Sequence, residues 1–248
     1  HYRNHVLTKF GDLPLSAIDY ALVTAWIAEL QRKGLAPATV RRCHLLLSKL
    51  LAGAVRSKRI SRNPCADTDN LPTVHRAEMR VIAPDQILRL ADAMADVTTE
   101  RLGRRVPGTR TDDDAIRQVA ARFSALVILG GYGGLRFGEL AGLRRNRIDT
   151  AQRVVRVDST LTEVRGQLIP GRPKTAAGVR SVPLPRTVAT TLELAVRGLD
   201  DDAFVFTGSD GAPIRAGSFR ARFWKPATDR ADLVGLRMHD LRHTAVSL

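Results

Sequence analysis

A polar, proline-containing stretch, residues 66–80, interrupts the chain between two regions whose apolar residues recur at helical spacing. A stretch with no periodic apolar face to bury is typical of a linker between domains. The chain has 248 residues, which at about 150 residues per domain suggests one large domain or two unequal ones. We therefore expect a first domain over 1–72, a linker over 73–83 and a second domain over 84–248.

The first region carries two amphipathic helical patterns. The first pattern ends at Gly34, a typical helix stop, and the second begins at Pro37, which the first turn of a helix tolerates, and is stopped by Asn63-Pro64. Two such helices packed together make a small α-helical module. The expected apolar faces are Leu22, Val23, Trp26, Ile27 and Leu30 in the first helix, and Val40, Cys43, Leu47, Leu50, Leu51, Ala54 and Val55 in the second.

The chain is strongly basic, with 39 Lys and Arg against 25 Asp and Glu and a formal net charge of +14. The first 72 residues are the most densely positive part, with 11 basic and 5 acidic residues. On the second helix Arg42, Lys49 and Arg56 are seven apart and form one stripe, with Arg41 beside it. Such a stripe suits a nucleic-acid phosphate backbone, and a solvated helix face is the alternative.

Composition and patterning exclude several classes of protein. A hydrophobic fraction of 44% excludes intrinsic disorder. The longest uncharged apolar run, Phe123–Leu135, is broken by glycines and falls short of the roughly 20 apolar residues that a membrane span needs. The N-terminal residues show no secretory signal, and Cys43 and Cys65 lack the spacing of metal ligands. We expect a cytoplasmic protein with no membrane association and no metal.

The second region mixes helical and strand patterns. A helix is expected from Ala83-Pro84 to about Ala95, then a charged loop over Thr98–Asp114, then an apolar helix over Ala115–Leu129 that Gly130–Gly134 ends. Alternating β-branched residues predict strands over 153–158, 160–164 and 179–184, and further helices are expected over 188–196, over 218–230 and from 239 onward. The fold class expected is mainly α with a small antiparallel β-sheet (α+β).

Three short segments of this region carry polar residues that suit phosphate chemistry. Arg136 stands at a glycine-rich junction with Glu139 close behind, and Lys174 stands on a predicted hairpin. His239 and Arg242 are three apart, so they share one face of a helix. A guanidinium can bind two phosphate oxygens at once, and a lysine can protonate a leaving oxygen. Taken alone, the first segment is better explained as a structural Arg–Glu pair, most hairpin lysines have no catalytic role, and the His-x-x-Arg pattern has low specificity.

In this order and at these separations, the three segments resemble the tyrosine recombinase (phage integrase) family. The resemblance covers nearly the whole chain and implies a core-binding, DNA-binding domain over 1–72 and a catalytic domain over 84–248. It implies catalytic roles for Arg136, Lys174, His239 and Arg242, and a supporting role for Glu139. It further implies site-specific cutting and rejoining of double-stranded DNA through a 3′-phosphotyrosyl intermediate, with no metal, ATP or other cofactor. DNA contacts are expected from Arg41, Arg42, Lys49 and Arg56.

The family's nucleophilic tyrosine has no counterpart in this sequence. Tyr2, Tyr20 and Tyr132 all precede His239, and the sequence stops at Leu248. We therefore expect a truncated catalytic domain that binds DNA as a monomer and does not cleave it, whereas the complete protein is expected to form a tetramer on DNA. Two alternatives stay open: a type IB topoisomerase-like enzyme, and a DNA-binding or architectural protein without catalysis.

Overall fold

The computed structural model describes residues 1–74, 79–103, 113–173, 178–208 and 210–248. The chain forms two compact units, His1–Glu78 and Met79–Leu248. Lys174 lies outside the described residues. So does the middle of the charged loop expected over Thr98–Asp114. No helix of the described part is long and apolar enough to cross a membrane.

The first unit is helical. After a π-helical turn over Tyr2–Leu7 it contains α1 (Thr8–Phe10), α2 (Tyr20–Arg32) and α3 (Pro37–Arg56). The Asp19 side chain caps α2 by accepting a hydrogen bond from the Leu22 amide at 2.8 Å, which satisfies one of the free donors at the helix start. The core lies between α2 and α3, and Phe10 meets the Trp26 ring edge-on at 4.9 Å. The sequence pattern predicted these two main helices and most of their buried faces.

Two expectations for α3 are wrong. The helix ends at Arg56 rather than at Asn63-Pro64: the Ser57 hydroxyl donates to the Gly53 carbonyl at 3.0 Å, and Lys58 takes a left-handed conformation with φ of 55°. Asn63 instead lies back against the helix, where its amide donates to the Ser48 carbonyl at 3.1 Å. Leu50, expected in the core, is 52% exposed.

The second unit packs helices around one core and two small sheets. Its helices are α4 (Pro84–Leu102), α5 (Asp113–Gly133), α6 (Phe137–Ala141), α7 (Arg186–Ala195), α8 (Ala216–Phe219), α9 (Lys225–Arg230) and α10 (Met238–Ser247). A π-helical turn over Arg220–Trp224 joins α8 to α9. The strands are β1 (Ile148–Asp149), β2 (Val154–Val157), β3 (Thr160–Val164), β4 (Gln167–Gly171) and β5 (Arg180–Pro183). The expected fold class is confirmed.

The two central helices are longer than their patterns suggested. The first continues to Leu102, because Thr98 is fully buried and satisfies its hydroxyl by donating to the Met94 carbonyl at 2.7 Å. The second continues through Gly130 and Gly131 to Gly133, and the expected end at Gly130 is wrong. A Cβ at Gly130 would lie 2.9 Å from Leu241, so glycine here permits close helix packing rather than a turn.

The strands form two antiparallel sheets rather than one. In the first sheet β2 lies between β1 and β5, and in the second β3 pairs with β4 across the turn at Arg165-Gly166. The predicted strands are confirmed as β2, β3 and β5. The pattern missed β1, which has two residues, and β4, which contains Pro170 and Gly171.

Candidate active site

The junction between α5 and α6 places the first arginine of the site. Gly134 ends α5 with a φ of +63°, a conformation that glycine adopts without strain. Arg136 then precedes α6 in an extended conformation, and its backbone amide donates to Glu139 Oε2 at 2.8 Å. The glutamate three residues into the helix thus satisfies a free donor at the helix start and fixes the entry of the chain.

Glu139 is a buried carboxylate held by two arginines. Its side chain is 3% exposed and accepts from Arg136 Nη1 at 3.0 Å and from Arg180 Nη1 and Nη2 at 3.1 and 2.9 Å. Burial alone would raise the pKa of Glu139, but the hydrogen bonds from Arg180 and Arg136 outweigh burial and hold that pKa below its usual range. Glu139 is therefore ionised at neutral pH.

The start of α10 repeats the same arrangement. Asp240 is buried, accepts from the Arg237 backbone amide at 2.8 Å, and accepts from the Arg237 guanidinium at 2.7 Å. Burial opposes the ionised form of Asp240, yet its bonds to Arg237 hold the pKa of the carboxyl below its usual range. The cap fixes where α10 begins and therefore where His239 and Arg242 lie.

Arg242 joins α10 to the α5–α6 junction. Its guanidinium donates to the Gly134 carbonyl, two residues before Arg136. A Cβ at Gly134 would lie 3.2 Å from the Ala245 Cβ and 3.9 Å from the Arg242 Cγ, so the glycine lets the junction lie close against α10. Two arginines far apart in sequence therefore come to one place.

The charges of this cluster act on one another. Burial and the neighbouring charges of Arg136 and Arg180 lower the pKa of Arg242. Burial lowers the pKa of His239 as well, and His243, Arg242 and Arg136 lower it further, while Asp240 acts in the opposite sense. The His239 and His243 rings meet edge-on at 4.8 Å. Like charges gathered at one place favour a bound anion, because an anion relieves their mutual repulsion.

The structure brings together four of the residues expected at the site: Arg136, Glu139, His239 and Arg242. Sequence reasoning missed Arg180, which lies at the first position of β5. The available signal was its position: Arg180 shares the more buried face of the strand with Val182, and a charged residue on that face needs a partner.

The basic stripe of the first unit lies on α3. Arg41, Arg42, Lys49 and Arg56 are all exposed. Arg41 donates to the Pro72 carbonyl at 3.1 Å and so ties α3 to the end of the unit. Arg42, Lys49 and Arg56 form no ion pair with any residue in the described ranges. Their charges are available to a partner.

One group of side chains in the first unit has metal-ligand chemistry. The candidate ligand atoms of His1, His5 and Cys43 lie within 4.8 Å of one another, although the sequence spacing did not predict it. In a tetrahedral zinc site, bonds of about 2.0–2.3 Å separate the ligand atoms by about 3–4 Å, a spacing that this limit allows. The group lies in His1–Glu78, whereas the arginine cluster lies in Met79–Leu248.

The sequence of the second unit matches a known protein family. Residues 81–247 match the model of the phage integrase family. The chain belongs to the phage integrase family. Among curated relatives, it is 26% identical over 260 residues to a putative prophage phiRv2 integrase of Mycobacterium tuberculosis, covering 100% of this chain and 61% of that protein. It is 24% identical to the ICEBs1 integrase of Bacillus subtilis, covering 98% and 62%. The chain thus spans about three fifths of the length of these relatives.

Solved structures show the same fold. The Tn1549 transposon integrase in complex with transposon right end DNA has a TM-score of 0.72 at 21% identity, covering 98% of this integrase-family chain and 76% of that one. A lambda integrase dimer bound to a core site has a TM-score of 0.62 at 16% identity, covering 98% and 78%. A helical first unit and a mixed second unit therefore form a fold shared with integrases.

Proposed function

We propose that this chain is the core-binding and catalytic part of a site-specific DNA recombinase, which cuts and rejoins duplex DNA through a 3′-phosphotyrosyl intermediate. The observation that carries the proposal is the convergence of Arg136, His239 and Arg242 beside Gly134. Membership of the phage integrase family supports it. A protein with this function works on DNA in the cytoplasm.

In this mechanism the arginines stabilise the transition state. Attack of a tyrosine on a backbone phosphate builds negative charge on the non-bridging oxygens, and Arg136 and Arg242 bind those oxygens. Two guanidiniums that are already in place supply this charge without metal or ATP. Arg136 keeps Nε and Nη2 free of acceptors in the described part of the protein, so its outer edge is available to phosphate.

His239 and Lys174 accept and donate protons in this mechanism. The lowered pKa of His239 keeps its ring neutral at pH 7, so it is able to accept the proton of the attacking tyrosine. Lys174 protonates the leaving 5′ oxygen, as the resemblance to the family implies. The resemblance to the family places the tyrosine after the His239–Arg242 segment, whereas the three tyrosines of this chain all precede His239.

Both units contact the duplex in this proposal. Arg42, Lys49 and Arg56, with Arg41 beside them, bind phosphates on one side of the helical unit. Such contacts position the protein and carry no sequence information, so the target site is set elsewhere. The 248-residue chain binds as a monomer, and the complete protein assembles as a tetramer on DNA.

The test uses the coding sequence extended past Leu248 and nicked duplexes that carry a candidate attachment site and trap the covalent intermediate. We expect a protein–DNA adduct that resists denaturation and that is lost in Arg136→Ala. Arg89→Ala is the matched control, because the one ion partner of Arg89 among the described residues is Asp85, on the surface of α4. The unextended chain is expected to bind duplex DNA without forming an adduct.

Three other outcomes would overturn the proposal. Duplex binding by the extended chain with no adduct on any substrate would identify a non-catalytic DNA-binding protein. An adduct followed by relaxation of supercoiled DNA without exchange of partners would identify a type IB topoisomerase-like enzyme. An adduct that survives Arg136→Ala would place the chemistry at another site.

A further inference from the structure

We propose that Arg180 is a positioning residue of the active site, which acts through Glu139 to orient the guanidinium of Arg136. The inference rests on the proposed function for its catalytic consequence, but its structural core is independent of that function. Arg180 was not among the residues expected from the sequence, and it does not need to touch DNA in this role.

The hydrogen bonds to Glu139 divide evenly between the two arginines. Oε1 accepts from Arg136 Nη1 at 3.0 Å and from Arg180 Nη1 at 3.1 Å. Oε2 accepts from the Arg136 amide at 2.8 Å and from Arg180 Nη2 at 2.9 Å. An ionised carboxylate has about four acceptor sites, so these four bonds saturate it. Each carboxylate oxygen thus accepts one hydrogen bond from Arg136 and one from Arg180.

This arrangement makes the geometry of Arg136 depend on Arg180. If the two Arg180 bonds are removed, a buried carboxylate loses half of its partners, and the remaining donor groups are those of Arg136. The carboxylate then turns toward Arg136 and draws the guanidinium away from solvent. With Arg180 in place, Glu139 takes only one Nη of Arg136 and leaves the outer edge of that guanidinium for phosphate.

Charge leads to the same conclusion. Without Arg180, Glu139 would neutralise Arg136 and weaken its attraction for an anion. Because Arg180 balances the Glu139 charge, the Arg136 guanidinium keeps its positive charge for a ligand. Removing Arg180 also leaves a buried carboxylate with a single ion partner, a costly state in a low-dielectric site.

Exposure separates the roles of the two arginines. The Arg136 side chain is 55% exposed and the Arg180 side chain is 24% exposed. Arg180 directs both Nη atoms at Glu139, and its Nη1 also donates to the Gly178 carbonyl at 3.2 Å. Both terminal nitrogens of the Arg180 guanidinium therefore donate to protein acceptors. In the described part of the protein, the Arg136 guanidinium donates through Nη1 alone.

The experiment compares Arg180→Met, Arg180→Lys and Glu139→Gln in the extended chain, with covalent adduct formation as the rate readout. We expect Arg180→Met to lower the rate by about 100-fold, the scale of a displacement of about 1 Å at a reacting centre. Arg180→Lys should recover only part of this loss, because one ammonium cannot make two parallel bonds. Duplex affinity of the 248-residue chain should fall by much less than the rate in Arg180→Met, because Arg180 itself binds no phosphate in this role.

A matched control separates positioning from simple loss of stability. Arg215 makes the same kinds of bond as Arg180, to Glu163 Oε1 at 3.1 Å and to the Gly166 carbonyl at 2.6 Å, but outside the cluster. Arg215→Met should leave the cleavage rate unchanged. Rates are compared well below the thermal midpoint of each variant; if Arg180→Met then lowers the rate no more than Arg215→Met does, Arg180 does not position Arg136 and the proposal fails.

The double variant decides whether Arg180 acts through Glu139. In a Glu139→Gln background, Arg180→Met should lower the rate by far less than 100-fold, because the intermediary is already gone. An undiminished effect in that background would mean that Arg180 acts on DNA directly, which overturns the proposal.

A further readout does not depend on cleavage. The NMR signal of the Arg136 Nε–H, assigned in the 248-residue chain by its loss in Arg136→Lys, should shift in Arg180→Met and not in Arg215→Met. An unmoved signal would overturn the positioning role even if the extended chain is an active recombinase. Conversely, a shifted signal together with an extended chain that forms no adduct would leave the positioning role standing and refute the proposed function.

Discussion

At the scale of single residues, the site depends on pairs that join distant parts of the sequence. The sequence indicated Arg136, Glu139, His239 and Arg242 because each belongs to a short segment with a family-like pattern. It did not indicate Arg180, because the partner of Arg180 is Glu139, 41 positions earlier, and no local pattern encodes that pair. Burial of Glu139 is what makes the pair necessary, and burial at this level is a property of the folded chain.

His239 should titrate below its ordinary pKa of 6.5. Burial, the neighbouring His243 and the cations Arg242 and Arg136 all disfavour its protonated form, whereas Asp240 favours it. As pH falls through 6.5 the unfolded chain takes up this proton first, so His239 makes the free energy of unfolding decrease. Proton NMR of the imidazole checks the value. His243→Gln should move the pKa upward, and a pKa at or above 6.5 in the unsubstituted chain would contradict the prediction.

Glu139 and Asp240 should make the second unit sensitive to acid. Because both carboxyls have lowered pKa values in the fold, they stabilise it above their ordinary pKa values of 4.5 and 3.8, and this stabilisation is lost as pH falls further. Urea unfolding between pH 7 and pH 3 measures it. Glu139→Gln should flatten the pH dependence, whereas Glu193→Gln, at an exposed position of α7, should leave it unchanged. If the free energy of unfolding depends on pH equally in the unsubstituted chain, Glu139→Gln and Glu193→Gln, Glu139 is not responsible for the acid sensitivity.

At the scale of elements, periodicity predicted the existence of helices better than their ends. The apolar positions of α2 to α5 repeat because each helix buries one face, and this is visible in the sequence. The ends of the helices depend on contacts between elements, and these contacts are not visible in the sequence. Glycines at the end of α5 suggest a stop, yet Gly130 and Gly131 stay helical because they lie against side chains of neighbouring elements. β4 was missed because Pro170 and Gly171 are unusual in strands. Its extended conformation depends on pairing with β3, which the sequence of β4 alone does not show.

Gly131→Ala should destabilise the second unit. An added Cβ would lie 2.9, 3.0 and 3.2 Å from three side-chain carbons of Ile87, so the Ile87 side chain or α4 itself would have to shift. Overpacking of this kind typically costs about 1–3 kcal/mol, more than the roughly 1 kcal/mol that alanine gains over glycine in a helix. Thermal or urea unfolding measures the change. Gly217→Ala is the control, since a Cβ there would meet no described atom within 4 Å beyond the local backbone, and it should be neutral or stabilising. Equal effects at both positions would refute the packing argument.

At the scale of the whole molecule, the basic residues behind the net charge of +14 include both paired and unpaired cations. In the second unit Arg136, Arg180 and Arg237 bind the buried carboxylates of Glu139 and Asp240 and shape the proposed active site. In the first unit Arg42, Lys49 and Arg56 have no acidic partner in the described ranges and lie exposed on one helix. Composition predicted a polyanionic partner, but only the structure separates cations that are paired from cations that are available.

This separation predicts how salt affects DNA binding by the 248-residue chain. Each phosphate contact contributes about 0.9 to the slope of log affinity against log salt concentration, so Arg42→Gln, Lys49→Gln and Arg56→Gln together should reduce the slope by about 2.7. Fluorescence anisotropy with a labelled duplex at several salt concentrations measures it, and the loss should be similar for unrelated duplex sequences, since phosphate contacts do not read bases.

The matched control removes three cations of the same unit that are already paired. Lys9 and Lys33 pair with Glu29 at 3.1 and 2.6 Å, and Arg62 pairs with Asp67. Replacing these three with glutamine makes the same change in net charge, yet it should leave the slope nearly unaltered. Because the two triple variants differ only in which cations are lost, equal slopes would mean that net charge alone drives binding and that the stripe on α3 is a solvated surface. A slope reduced only by the first triple variant would assign the phosphate contacts to that helix.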